Sequence, residues 1–224
     1  GWEIVLLADD VHSNLKDLSS IERWQGALPG LLSDFTGLLR DALDLMRELG
    51  GADDRRDNSY TQQPSIDVHP QNNDYNDWTA LIDLTRDAWL ATAAVNPVRA
   101  ALEAELWWTI QYPLFKRLAF FAATKGDVIG SRRALNWLLA DDHWWLWSLE
   151  TERESTRLLV ALAENGDPEI VLELERAILA GPPRAMFDGG ADPERLARIL
   201  DREVWQRLAK VIGAGATLSP EGQE

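Results

Sequence analysis

Four times in this chain a proline stands directly behind a residue suited to open a helix: Asn96-Pro97, Tyr112-Pro113, Asp167-Pro168 and Asp192-Pro193. Proline is favoured at the first helical position because its missing N–H would have no intrahelical partner there. Asparagine or aspartate just before it can accept from the free amides of the first turn. Gly126, Gly130 and Gly166 punctuate the chain between these starts. The apolar residues follow the same geometry. Leu31, Leu32, Phe35, Leu38, Leu39, Ala42, Leu45, Met46 and Leu49 recur in steps of three and four, and Gly50-Gly51 supplies a stop. Trp78, Leu81, Ile82, Thr85, Ala88, Trp89 and Thr92 form a second stripe. Alternation of period two never persists beyond a few positions, so the fold class is all-α.

The pattern predicts three stretches: N-terminal helices over 1–50, a polar segment over 51–76 and a main helical domain over 77–224. The first and last can pack together as one domain. Residues 2–8 are apolar and predicted helical, ending at Asp9-Asp10. Ser19 with Glu22, and Thr151 with Glu154, have capping-box spacing. Gly26 and Pro29-Gly30 predict a break before the helix at 31–49. The segment 51–76 carries Asp53-Asp54-Arg55-Arg56-Asp57 and Gln71-Asn72-Asn73-Asp74, with few apolar side chains. A segment this long is either functional or poorly ordered, and a composition that can bury so little favours poor order and early proteolysis. Ser219–Glu224 reads as a frayed tail. The start, Gly1-Trp2-Glu3-Ile4-Val5-Leu6-Leu7, lacks methionine and enters an apolar pattern at once, which we read as a piece cut from a longer polypeptide.

Charge removes some partners. The net charge is −15. It is spread along the chain, and even the most nearly neutral stretch, 77–124 with Arg86, Arg99, Lys116 and Arg117, is not net positive. Nucleic acid and anionic membrane need clustered lysine and arginine, so neither is the expected partner. With no cysteine, disulfide and thiolate chemistry are absent, which suits a cytoplasmic protein. No apolar run reaches the ~18 residues that span a bilayer.

Eleven tryptophans are the least ordinary feature. Trp107-Trp108 and Trp144-Trp145-x-Trp147 cannot all face one core, because helical neighbours point about 100° apart. Two readings stay open. The indoles fill gaps between stacked helices, or some form a patch for a protein partner. Trp108, Trp137 and Trp144, with Lys116 and Arg117, are the candidate partner-binding residues. Trp145 shares a face with Leu149 and is expected to be buried, with Trp144 pointing elsewhere. Trp137 lies off the line of Leu135, Leu138 and Leu139, so it is expected to be partly exposed or to touch a second helix pair.

Catalytic and metal-binding patterns are missing. His12, His69 and His143 stand near aspartates but read as surface or helix-end residues. There is no Glu-x-x-His pair at helical spacing, no His-Glu-x-x-His and no Gly-x-Ser-x-Gly. Asp141-Asp142 lacks the third carboxylate of an aspartate-rich magnesium motif. Arg55-Arg56 and Arg132-Arg133 read as solvated charges. We expect no cofactor, no metal and no enzymatic activity.

The run Pro113-Leu114-Phe115-Lys116-Arg117-Leu118-Ala119-Phe120-Phe121-Ala122 resembles the second helix of a HEAT-type repeat. That helix begins with proline and carries a basic residue before small and apolar positions. The resemblance implies an irregular HEAT-like helical repeat, with a multi-helix bundle as the other architecture. With the tryptophan-rich helices after it, the run also resembles the helical C-terminal region of large bacterial defence proteins of the STAND type. In those, an effector and a nucleotide-binding switch precede a helical sensor. The phosphate loop Gly-x-x-x-x-Gly-Lys-Ser/Thr of the switch is absent here, so the resemblance implies a non-catalytic scaffold or sensor module. It would bind a protein or another domain of its own chain. The alternative is a HEAT-like DNA glycosylase or other all-helical enzyme; a glycosylase needs a basic concavity that a charge of −15 opposes.

Overall fold

A computed structural model describes residues 11–72, 76–187 and 193–223, and all regular structure among them is helical. The predicted helix at 2–8 and the cap at Asp192 lie outside the described residues. Contacts divide the chain into two units, Gly1–Val128 and Ile129–Glu224. The boundary therefore falls inside the stretch that the sequence groups as one domain, and the polar segment belongs to the first unit. No described helix is long and apolar enough to cross a membrane.

In the first unit, α1 (Val11–Ser19) precedes the 27-residue α2 (Glu22–Glu48). The predicted break does not occur, and α2 runs straight through Pro29. Pro29 cannot donate to the Gln25 carbonyl, a loss of about 3 kcal/mol. Against it stand Leu28, Leu32, Leu39 and Leu43, each at most 7% exposed, on a helix that packs chiefly on α4 (Ala80–Val95). At about 1.5–3 kcal/mol per buried leucine, packing outweighs the proline. The Ser19–Glu22 box is also absent. Ser19 ends α1, donating its hydroxyl to the Lys16 carbonyl at 2.6 Å, and Ile21 stands at the start of α2 with no side-chain cap.

The second stripe is as read: Trp78, Leu81, Ile82, Thr85, Ala88, Trp89 and Thr92 are all buried. A one-residue link at Asn96 leads into α5 (Pro97–Thr109), and the Asn96 side chain accepts from the Arg99 amide at 3.0 Å. α5 packs on α4 and on α6 (Pro113–Ala123). Between α2 and α5 runs a buried relay. Trp107 Nε1 donates to Thr36 Oγ1 at 3.0 Å, and Thr36 donates to Glu103 Oε1 at 2.7 Å.

The polar segment has regular structure and polar contacts where it is described. It forms a short helix, α3 (Ser59–Gln62), and docks on α6 through its polar atoms. Tyr112 cannot cap α6; its hydroxyl donates to Asp44 at 2.5 Å. Asp57 caps it instead. One carboxylate oxygen accepts from the Leu114 amide at 2.6 Å and the other from the Ser59 amide at 2.9 Å. A carboxylate at that helix start also meets the positive end of the helix dipole. One turn on, fully buried Arg117 donates to Ser59 Oγ at 3.0 Å and to the Gln63 carbonyl at 2.8 Å. Arg86 holds the Ile66 carbonyl at 3.1 Å, and Lys125 holds Asp67 at 2.6 Å. Apolar burial was the wrong measure for a segment held by hydrogen bonds to buried cations.

In the second unit, α9 (Glu152–Glu164) contacts α7 (Ser131–Leu138), α8 (Ala140–Trp147), α10 (Pro168–Leu179) and α11 (Pro193–Gly213). Its Leu158, Leu159 and Leu162 are at most 2% exposed. Asp167 caps α10 as read, accepting from the Glu169 amide at 2.9 Å. The Thr151–Glu154 box is absent: Thr151 stands at the start of α9 with no side-chain cap bond, and its hydroxyl donates back to the Trp145 carbonyl at 2.8 Å. The C-terminal stretch is docked as well. Ser219 donates its amide to buried Glu175 at 3.0 Å, ahead of the short α12 (Pro220–Gln223).

Replacing Arg117 with methionine removes two hydrogen bonds from a buried cation and should cost about 3 kcal/mol. Replacing Arg132, whose side chain is 45% exposed, should change stability by less than about 0.5 kcal/mol. Urea denaturation checks the contrast. Limited proteolysis checks the docking: the native chain should resist cutting within 51–72, and Arg117→Met should expose that stretch.

Candidate functional site

The site is built around an unusual turn. Asp141, Asp142 and His143 take φ values of 54°, 57° and 65°, three left-handed residues in a row without a glycine. Each costs roughly 1–2 kcal/mol for most side chains, less for aspartate and histidine. The turn is held from the next turn of helix: Trp145 Nε1 donates to Asp141 Oδ2 at 2.7 Å, and the His143 amide reaches the Leu139 carbonyl at 3.3 Å. The adjacent indoles diverge as expected. Trp145 is 2% exposed and lies in the core with Leu146, while Trp144 is half-buried. Leu149 does not continue the Trp145 face. α8 ends at Trp147, Ser148 is extended, and Leu149 is 66% exposed.

Trp144 and Trp147 line a pocket of about 420 Å³ with Met186, Phe187, Ile199 and Leu200. Glu150, Glu152, Glu203 and Arg207 also reach its wall. Arg207 is buried and lies 4.1 Å from the centre of the Trp147 ring. Its guanidinium donates to Glu203 Oε2 at 2.8 Å, to the Glu203 carbonyl at 3.2 Å and to the Leu146 carbonyl at 3.3 Å. Trp147 Nε1 is buried and finds no acceptor among the described residues. An apolar, aromatic concavity with a few convergent polar groups is the usual form of a binding site, and this volume is within the usual range.

Of the residues singled out from the sequence, only Trp144 lines this pocket. Trp137 is a correction: it is 1% exposed, with Arg133 at 5.4 Å from its ring, and cannot present a patch. Of the two expectations for its off-stripe position, partial exposure or contact with a second helix pair, the first fails. Arg117 is a correction too, spent entirely inside the first unit on α3 and Gln63. Lys116 is buried at 8% exposure, 4.4 Å from the Trp108 ring, and donates to the Trp108 carbonyl. Trp108 is half-buried and packs on Phe120 at 5.8 Å. Trp147 stands in the tryptophan cluster but not among the candidate partner-binding residues, and Phe187, Ile199 and Arg207 were not singled out. The only signal for these three was the Glu203–Arg207 spacing of i, i+4 on one helix face.

A second concavity of about 380 Å³ belongs to the first unit and is lined by His12, Lys16, His69, Asp83, Arg86 and Asp87 among others. Its charged groups are engaged with one another. Burial raises the Asp83 carboxyl above its ordinary value, against the pull of Arg86. Arg86 bridges Asp83 and Asp87 and holds the Ile66 carbonyl, while Gln63 donates to Asp83 at 2.9 Å. Among the described residues no three histidines or carboxylates are grouped to hold a metal ion. Comparison of the chain with protein-family models, with curated proteins and with solved structures finds no match.

The divergence of the neighbouring indoles is measurable. Trp145→Ala should cost about 3–5 kcal/mol and Trp144→Ala under about 1 kcal/mol. Asp142→Gly should stabilise by up to about 1 kcal/mol, because glycine takes the left-handed conformation without a Cβ clash. Thermal denaturation of the three variants checks both; equal melting temperatures for the two tryptophan variants would contradict the assignment.

Proposed function

We propose that this chain is a helical recognition module without chemistry of its own, and that the tryptophan pocket of residues 129–224 receives a side chain from a protein partner or from another domain of a longer polypeptide. One observation carries the reading: two indoles, one half-buried and one nearly buried, wall a pocket of side-chain size beside the exposed apolar groups of Leu149 and Ile199. Tryptophan in a partly desolvated pocket is a favoured hot-spot residue at protein interfaces. The resemblance to the helical sensor region of STAND-type bacterial proteins fits such a role, as does a cytoplasmic setting for a cysteine-free chain. A HEAT-like architecture is compatible with it. The glycosylase alternative has less support, since the pocket wall carries three carboxylates against one guanidinium and DNA would be repelled.

Panning a displayed peptide library against the whole chain tests the reading. Enriched peptides should bind the native chain and lose at least tenfold in affinity (about 1.4 kcal/mol or more) with Ile199→Glu. That surface change should itself cost under about 0.5 kcal/mol of stability. Peptides that bind equally well to Ile199→Glu, or a metabolite turned over by the pure protein, would overturn it.

A further inference from the structure

Resting on that reading, the wall of the pocket also indicates what kind of side chain enters. We propose that the pocket takes a basic side chain, a lysine from a basic segment of the partner. Glu150, Glu152 and Glu203 set three carboxylates on the wall against the single guanidinium of Arg207. Arg207 is not available to an incoming anion. It is 8% exposed and donates to Glu203 and to two backbone carbonyls. The cavity therefore presents net negative charge beside aromatic rings. That combination recognises ammonium groups, by ring quadrupole and carboxylate together. The pocket already shows the chemistry once, in the Arg207 guanidinium held 4.1 Å from the Trp147 ring centre. Met186, Ile199 and Leu200 line the remainder and suit the methylene stem of lysine, which buries its carbons while its head seeks charge. The net charge of −15 adds long-range attraction for a basic partner, screened within about 8 Å at physiological salt. The discrimination must therefore come from the wall itself.

The test uses the whole chain and three capped pentapeptides with a central lysine, norleucine or glutamate between glycines. Binding is followed by NMR through the indole N–H signals of Trp144 and Trp147, at physiological salt. The lysine peptide should move both signals, leave that of Trp145 in place, and bind about tenfold more tightly than the norleucine peptide. Glu152→Gln removes one wall carboxylate from an exposed position and should narrow that preference, while Trp144→Ala should abolish the shift at Trp147. Norleucine binding as tightly as lysine, or glutamate binding more tightly, would overturn the cation preference and leave the recognition pocket standing. If no peptide moves either signal of the folded protein, both the preference and the proposed function fail.

Discussion

A buried indole brings a hydrogen-bond donor into the core, and that donor must be met. Much of this structure is arranged around that requirement. Trp78 donates to Gln62 at 2.6 Å, Trp89 to the Ala100 carbonyl at 2.9 Å and Trp107 to Thr36 at 3.0 Å. Each bond joins two different elements, so the indoles fix where the helices meet as well as filling the gaps between them. In the second unit Trp145 finds its acceptor only one turn back, at Asp141. Reaching it coincides with three left-handed residues, a cost that a donor worth about 1–3 kcal/mol when left unmet helps to offset. The rule does not hold throughout the second unit: the Trp147 donor, for one, meets no acceptor among the described residues.

The first unit meets an equivalent demand with cations. Arg86 and Arg117 are buried and spend their donors on backbone carbonyls and side chains of the segment between α2 and α4. Asp57 spends its carboxylate on the amides that open α6. A stretch with little to bury is thereby held, at the expense of residues that would otherwise have offered a basic surface. Arg117 is structural for this reason, while Lys116 is held by the carbonyl and ring of Trp108.

What could be read from the sequence was local. The stripe from Trp78 to Thr92 and the caps at Asn96 and Asp167 depend on contacts within one or two turns, and all of them formed. The two capping boxes had the right spacing and did not form: α2 opens at Ile21 rather than Ser19, and the Thr151 hydroxyl is turned back to the Trp145 carbonyl. Pro29 was read by its own propensity, which the apolar face of α2 overrides. The Asp57–Leu114 cap crosses 57 positions, and the pocket wall is drawn from α8, α9, the turn at 184–186 and α11. Neither leaves a periodic trace. Adjacent indoles at 144 and 145 could be separated from the sequence, whereas the off-stripe position of Trp137 left exposure and packing both open, and it is buried.

Four core indoles with satisfied donors, Trp78, Trp89, Trp107 and Trp145, stand in division from Trp205, which faces solvent. Hydrogen exchange of the assigned indole N–H groups, followed by NMR, measures that division directly. The indoles of Trp78, Trp89, Trp107 and Trp145 should exchange slowly, while Trp205, 68% exposed on α11, should exchange at once. A Trp145 indole exchanging as fast as that of Trp205 would contradict the placement of α8, and with it the pocket that α8 walls.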